Sequence, residues 1–268
     1  MPRPIVTLLT DFGTADHYAA AMKGVMMCIC PDARFLDISH EVTPFAVAEA
    51  AYTLAQACRL FPQGTIHLVV VDPGVGSARR PILAEVGGHF FVAPDNGVLS
   101  MVFDAVPQHT IREITASEYF RQPVSQTFHG RDIFAPVAAH LAAGVRPEKF
   151  GEVIDDAVRF SFGKPVQTAE GSWTGIALKI DWFGNIITNF HADQFAWVAE
   201  QLFELRAGSG VVSSYFRSYA EAETKEPFVI KGSGGYLEIS VNEESAAKFL
   251  GVEPGAPLQL CLPRRIGR

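Results

Sequence analysis

Through residue 160 the chain alternates short apolar runs with Ala-rich stretches. The run 5–10 (I-V-T-L-L-T) has no polar alternation, which suits a strand buried on both faces of a parallel sheet. It breaks at Asp11-Phe12-Gly13-Thr14 and leads into a predicted helix at 16–30. The same pattern returns as a strand at 34–38 and a helix at 44–61, with Thr43 as its expected N-cap ahead of Pro44. Strands at 65–71 and 90–93 and a helix at 134–143 follow. Alternating strands and helices predict a layered α/β sheet.

Beyond residue 160 the pattern changes. Residues 160–172 are rich in Gly, Pro, Ser and Thr and read as a linker. Strand character then recurs at 174–180, 185–190, 210–215, 227–231, 236–241 and 257–262, with one short helix at 243–250. Closely spaced short strands predict a small β-barrel or sandwich. The expected architecture is therefore an α/β fold in two parts. An N-terminal layered domain with a mostly parallel sheet spans 1–163, a linker spans 164–172, and a smaller C-terminal β-barrel domain spans 173–268.

Composition narrows the function classes. With 48% hydrophobic and 19% charged residues the chain buries a core, which excludes disorder as its main state. The net charge is −7, and basic residues cluster no further than the pairs Arg79-Arg80 and Arg264-Arg265. Nucleic acid is therefore not the expected partner. No apolar run reaches the roughly 20 residues that span a bilayer, and residues 1–5 lack the layout of a secretory leader, so no membrane partner is expected. Cys28, Cys30, Cys58 and Cys261 show no C-x-x-C spacing and read as reduced thiols of a cytoplasmic protein.

Ligands of open α/β sheets bind beyond the carboxyl ends of the strands. Three predicted strands end in an acid or amide beside glycine: Thr10-Asp11-Phe12-Gly13, Asp72-Pro73-Gly74-Val75-Gly76 and Pro94-Asp95-Asn96-Gly97. A single such Asp is an ordinary turn former; three on one sheet mark a candidate site. Dinucleotide, P-loop and nucleophile-elbow patterns are absent from the sequence, as is H-E-x-x-H, so a zinc site is not expected. Phe128-His129-Gly130-Arg131-Asp132 precedes a helix and offers an imidazole, with Asp132 a structural first-turn acid. In the second domain, Asp181-Trp182-Phe183-Gly184-Asn185 joins two strands. It reads either as a hairpin loop or as a ligand loop in which Asn185 pairs with a base edge and Phe183 or Trp182 stacks on a ring. The loop Lys231-Gly232-Ser233-Gly234-Gly235-Tyr236 has a similar double reading, as a turn or as a carboxylate cradle.

Six segments in order carry a resemblance: T-D-F-G-T-A-D at 10–16, D-P-G-V-G-S-A-R-R at 72–80, A-P-D-N-G at 93–97, T-F-H-G-R-D-I-F-A-P at 127–136, D-W-F-G-N-I-I-T-N at 181–189 and S-G-G-Y-L-E-I at 233–239. Together the chain resembles the S-adenosylmethionine (SAM) hydroxide adenosyltransferases, or SAM hydrolases, and is similar to the related fluorinase and chlorinase. The resemblance implies hydrolysis of SAM at ribose C5′ to adenosine and methionine, with SAM as substrate and no cofactor or metal. It implies a homotrimer whose sites lie between one subunit's N-terminal domain and a neighbour's C-terminal domain. It assigns Asp72, Arg79 and His129 to a water-handling triad. Asp11 matches the ribose-holding acid, and Asp16 and Asp181 match acids near ribose and the methionine amine. Asn185 matches the adenine-reading amide, Ser233 a hydroxyl near the methionine carboxylate, and Phe45 an aromatic near the reacting carbon. Asn96, Phe183 and Tyr236 complete the expected substrate-binding set. The halogenases carry Tyr at the place of Asp72 and Ser at that of Gly130, which puts this chain on the hydrolase side. They carry Arg where Gly234 and Val241 stand.

A sulfonium leaves as a neutral thioether, so the reaction needs no general acid. What remains is to place one water in line with C5′ and take its proton. Arg79 is expected to depress the pKa of Asp72, which makes His129 the better matched acceptor. Two other classes compete. One is a metal-dependent phosphoesterase built on Asp11, Asp72, Asp95, Asn96 and His129; the other is a non-catalytic adenosine or SAM sensor.

Overall fold

The computed structural model describes residues 3–161, 164–222 and 225–263. Residues 162 and 163 beside the expected linker, and the Arg264-Arg265 pair, lie outside them. The chain divides into two compact units, Met1–Phe160 and Ser161–Arg268.

In the first unit the elements run β1 (Ile5–Thr10), α1 (Tyr18–Ile29), β2 (Arg34–Ser39), α2 (Val47–Cys58), β3 (Ile66–Val70), β4 (Pro81–Val86), β5 (His89–Pro94), α3 (Ser100–Ala105), β6 (His109–Glu113), α4 (Ala135–Ala142) and β7 (Val153–Ile154). They form one mixed sheet in the order β2-β1-β3-β5-β4-β6-β7. Its β2-β1-β3-β5 half is parallel, and β4, β6 and β7 join it antiparallel. The parallel half is the part that the continuous apolar runs predicted, and every residue of β3 is buried. Neighbouring residues of β1 point to opposite faces. Leu8 packs with Met22 and Met26 of α1 and Val137 of α4, whereas Leu9 packs with Ala50 and Leu54 of α2 and Phe103 of α3. Helices thus cover both faces, and the loops at the carboxyl ends of β1 and β3 are left to carry chemistry.

The expected helix at 44–61 starts later, at Val47, and Thr43 is not its N-cap. Ala46 holds that position without a side-chain cap bond. Phe45, with φ +68°, interrupts the helical path. Glu49 reaches back instead, accepting the Thr43 N–H at 3.2 Å.

The second unit contains β8 (Val166–Ala169), β9 (Ser172–Ile180), β10 (Ile186–His191), β11 (Glu204–Ala207), β12 (Gly210–Val212), β13 (Phe228–Lys231), β14 (Tyr236–Ser240), α5 (Ala246–Leu250) and β15 (Pro257–Cys261). The sheet order is β12-β11-β15-β9-β10-β14-β13, with β8 on β9. A bridge from Tyr215, just past β12, to Val229 of β13 draws the two ends together into a barrel-like sheet. Phe190, Leu205, Leu237, Ile239 and Leu260 fill its core. The expected linker at 164–172 is in part a strand: β8 pairs with β9 from Val166 to Ala169. Among the described residues no helix is long and apolar enough to cross a membrane.

Candidate active site

The carboxyl ends of β1 and β3 open onto a cavity of about 550 Å³ lined by Asp11, Asp72 and His129 and by the rings of Phe12, Tyr18, Phe45 and Phe128. Three of these rings form an edge-to-face cluster: Phe12 and Tyr18 lie 5.9 and 5.1 Å from Phe128. Sequence reasoning named the acids and missed Phe12, Tyr18 and Phe128 as lining residues. Their signal was an aromatic in or beside each of two candidate motifs.

The triad assembles behind this wall. After β3 the chain turns back on itself, with the Val75 N–H donating to the Asp72 carbonyl at 3.2 Å and Ser77 Oγ to the Gly74 carbonyl at 2.6 Å. Gly76 (φ +76°) makes the turn possible, because a Cβ there would stand 2.4 Å from the Gln126 carbonyl oxygen. The turn returns Arg79 to Asp72. Arg79 Nε donates to Asp72 Oδ1 at 3.1 Å, and Nη2 makes a very short contact to Oδ2. The same Nη2 donates to His129 Nδ1 at 3.1 Å. The guanidinium carbon lies 5.1 Å from the centroid of the Phe134 ring. Both side chains of the Arg79–Asp72 pair are nearly buried, at 7% and 5% exposed.

Burial raises the pKa of Asp72, and the attraction and hydrogen bonds from Arg79 oppose that without cancelling it. The expectation that Arg79 would leave Asp72 a depressed, weak base is thus reversed. Burial and the Arg79 charge lower the pKa of His129, against smaller opposing effects of Asp72 and Asp132. Its ring is therefore neutral near pH 7. Arginine has donors only, so Nδ1 accepts and the proton of the neutral ring sits on Nε2. His129 offers a donor at Nε2, and Asp72 keeps the acceptor lone pairs.

Asp11 is raised by burial and, more weakly, by the charge of Asp72. Its Oδ2 accepts the Phe45 N–H at 2.9 Å, which ties the first strand end to the 70%-exposed Phe45 ring. Asp16 is exposed just outside this wall. Asn96 is not brought to the cavity: Nδ2 donates to the Val71 carbonyl at 2.8 Å and Oδ1 accepts the Val98 N–H at 3.2 Å. It locks a turn. Asp95 is similarly spent on Arg80 and the Val158 N–H. Asp132 is fully buried and held by Arg131, Arg121 and the Ser125 N–H, a structural role. The acid set that a two-metal site would need therefore does not converge.

In the second unit Asp181 organises its own loop. Its Oδ1 accepts the N–H groups of Phe183 and Asn185 at 2.9 and 2.8 Å, and its Oδ2 accepts Asn185 Nδ2 at 2.8 Å. Asn185 is thereby oriented with its side-chain oxygen left as acceptor. Gly184 (φ +88°) closes the turn where a Cβ would collide with Ser245. Trp182 and Phe183 stand out at 96% and 76% exposed. On β14, Glu238 is pushed up to about 7 by burial and by Asp181, and its carboxylate lies directly over Gly232. Ser233 is exposed, and Tyr236 packs edge-on to His191 with ring centroids 5.2 Å apart. Glu238 was missed from the sequence because a strand acid reads as surface.

Comparison with known proteins follows the same division. The SAM hydroxide adenosyltransferase N-terminal domain matches residues 6–151, and the C-terminal domain of that family matches 175–259. The (R)-S-adenosyl-L-methionine hydrolase of Salinispora tropica is 35% identical, over 97% of this chain and 98% of its own length. A fluorinase from Actinopolyspora mzabensis is 28% identical over 96% and 97%. Among solved structures, an uncharacterized conserved protein from Thermotoga maritima superposes with a TM-score of 0.87 at 38% identity, covering 96% of this chain and 99% of that one.

Proposed function

The chain belongs to the SAM hydroxide adenosyltransferase family, and we propose from that membership and from the Asp72–Arg79–His129 geometry that it hydrolyses SAM to adenosine and L-methionine. The observation that carries the mechanism is the single guanidinium shared between the buried Asp72 carboxylate and His129 Nδ1.

Water oxygen attacks C5′ of the ribose. The C5′–S bond breaks, its electron pair goes to sulfur, and methionine leaves as a neutral thioether. The water proton passes to Asp72, whose burial makes it a stronger base than an exposed carboxylate. Arg79 has two acceptors to satisfy and holds both in place. His129 donates from Nε2 to the water oxygen and so fixes its orientation. Holding water and C5′ at attack distance supplies several kcal/mol of the barrier.

At the other end of the substrate, Asn185 accepts from the adenine amino group, Phe183 stacks on the ring, and Ser233 and Tyr236 lie with the methionine end. Asp11, Asp16 and Phe45 take the ribose. We read the assembly as a homotrimer in which neighbouring copies complete each site. A cytoplasmic location agrees with four free cysteines.

The test is direct. The purified protein is incubated with SAM and the products separated by chromatography. Adenosine and methionine in equal amounts, lost in Asp72→Ala, support the reading. Tight SAM binding without products favours a sensor, and activity that chelator abolishes favours a metal enzyme.

A further inference from the structure

A buried pair stands directly behind Asp11. Thr10 is fully buried and His40 is 6% exposed. His40 Nδ1 and Thr10 Oγ1 are 2.8 Å apart, and the same Oγ1 accepts the Phe12 N–H at 3.3 Å. A hydroxyl has one hydrogen. With Phe12 donating to one lone pair, that hydrogen or the second lone pair is left for His40 Nδ1, so the hydroxyl is gripped from both sides. His40 Nε2 lies 3.1 Å from Asp37 Oδ1, and Asp37 is held in turn by Lys23 Nζ at 2.6 Å.

The backbone explains how His40 comes to be there. Leu8 pairs with Asp37 but Leu9 with Ser39, so β1 and β2 slip by one residue at Ile38. The slip carries His40 level with Thr10. Two backbone bonds then stitch the segments together: Gly13 N–H to the His40 carbonyl at 2.7 Å, and Val42 N–H to the Thr10 carbonyl at 3.4 Å. The following residues lead to Phe45, whose N–H ends on Asp11. One imidazole therefore sits at the root of both the Asp11 turn and the Phe45 segment.

We propose that His40 is a positioning residue of the substrate site: by holding Thr10 Oγ1 it fixes the turn that aims Asp11, and through Asp11 the Phe45 ring, at the nucleoside. This rests on the reading that Asp11 and Phe45 face the ribose. An imidazole that merely fills the core would affect stability and leave nucleoside affinity unchanged.

The test uses the full chain and the variants Thr10→Val, His40→Leu, their double, His40→Asn and His40→Gln. Three quantities are measured: kcat and KM for SAM, the Kd for adenosine by calorimetry, and the thermal midpoint. Thr10→Val and His40→Leu are expected to raise KM and the adenosine Kd about tenfold each, with kcat moving by about threefold or less. The double is expected to be no worse than either single, because both remove the same bond. His40→Asn, whose Oδ1 stands where Nδ1 was, restores affinity; His40→Gln, whose amide lies further out, does not. Unchanged adenosine Kd in folded Thr10→Val, multiplying effects in the double, or an Asn variant as weak as Leu would each overturn the proposal. Thr10→Val keeps the side-chain shape and serves where His40→Leu fails to fold. If the wild type binds adenosine but releases none from SAM, the hydrolase reading fails while the adenosine Kd series still decides the role of His40.

Discussion

Arg79 Nη2 donates to His129 Nδ1 at 3.1 Å, and that one bond divides the proton chemistry of the site. A neutral imidazole bonded this way is a donor at its other nitrogen, which leaves Asp72 as the base in the proposed reaction. Asp72→Asn is expected to lower kcat at least about 100-fold, and His129→Gln, which keeps an N–H donor, only about tenfold. The pH profile decides between the residues. Asp72 is raised above the ordinary carboxylate value, and it must be ionised to accept a proton, so kcat/KM falls as pH drops through that raised pKa. His129→Gln is expected to keep this acid limb. Loss of the limb in that variant would return the base role to His129.

The proposed sharing of each site between neighbouring copies gives a second prediction, for mixed oligomers. Asp72→Ala spoils the first unit and Asn185→Ala the second. If each site draws its halves from neighbouring copies, co-expression of the two inactive variants restores about a quarter of the sites. Assayed for adenosine release, a mixture as inactive as its parents would contradict the shared-site assembly.

Phe45 carries a backbone strain that its own packing does not offset. A non-glycine residue at φ +68° costs about 1–2 kcal/mol, and a ring 70% exposed recovers little of that through packing. Phe45→Gly removes the strain while adding unfolded-chain freedom worth about 0.5–1 kcal/mol. Denaturant unfolding is therefore expected to show stability changed by no more than about 1 kcal/mol. KM for SAM is expected to rise up to about tenfold through loss of the ring. A large loss of stability with unchanged KM would show the ring to be structural.

Glu238 links stability to pH. Its pKa rises from 4.5 in the unfolded chain to about 7 in the fold, through burial and the charge of Asp181. Between those values the native state holds a proton that the unfolded state has lost, so this group makes stability fall as pH rises. The slope is at most about 1.4 kcal/mol per pH unit, and the loss is complete above about pH 7. Urea unfolding of Glu238→Gln and wild type at about pH 5 and about pH 8 is expected to show the variant gaining on the wild type at the higher pH. Parallel changes in the two proteins would refute the assignment.

Much of this was legible from residue order alone. The buried parallel strands β1 and β3 announce themselves as unbroken apolar runs, and the acids that end them mark the site. The antiparallel strands were harder to read. β4 opens on Pro81 and carries Glu85, and β6 mixes His109, Arg112 and Glu113 with two apolar or β-branched residues. Neither produces a clean run. β8 is exposed along its whole length, so nothing apolar distinguishes it from a linker. Asn96 shows a different difficulty: a polar residue beside a glycine at a strand end reads as a ligand contact from sequence, whereas in the fold its amide bonds the backbone of Val71 and Val98. The direction of the Asp72 pKa shift was also out of reach, because it depends on how completely the Arg79–Asp72 pair is buried.

Running the reaction in water enriched in heavy oxygen tests the central claim most directly. Attack by water at C5′ predicts one heavy oxygen in adenosine, in its 5′-hydroxyl, and none in methionine, as read by mass spectrometry of the separated products. Label in the methionine portion, or adenosine formed without label, would contradict water attack at C5′ and with it the assignment of Asp72, Arg79 and His129.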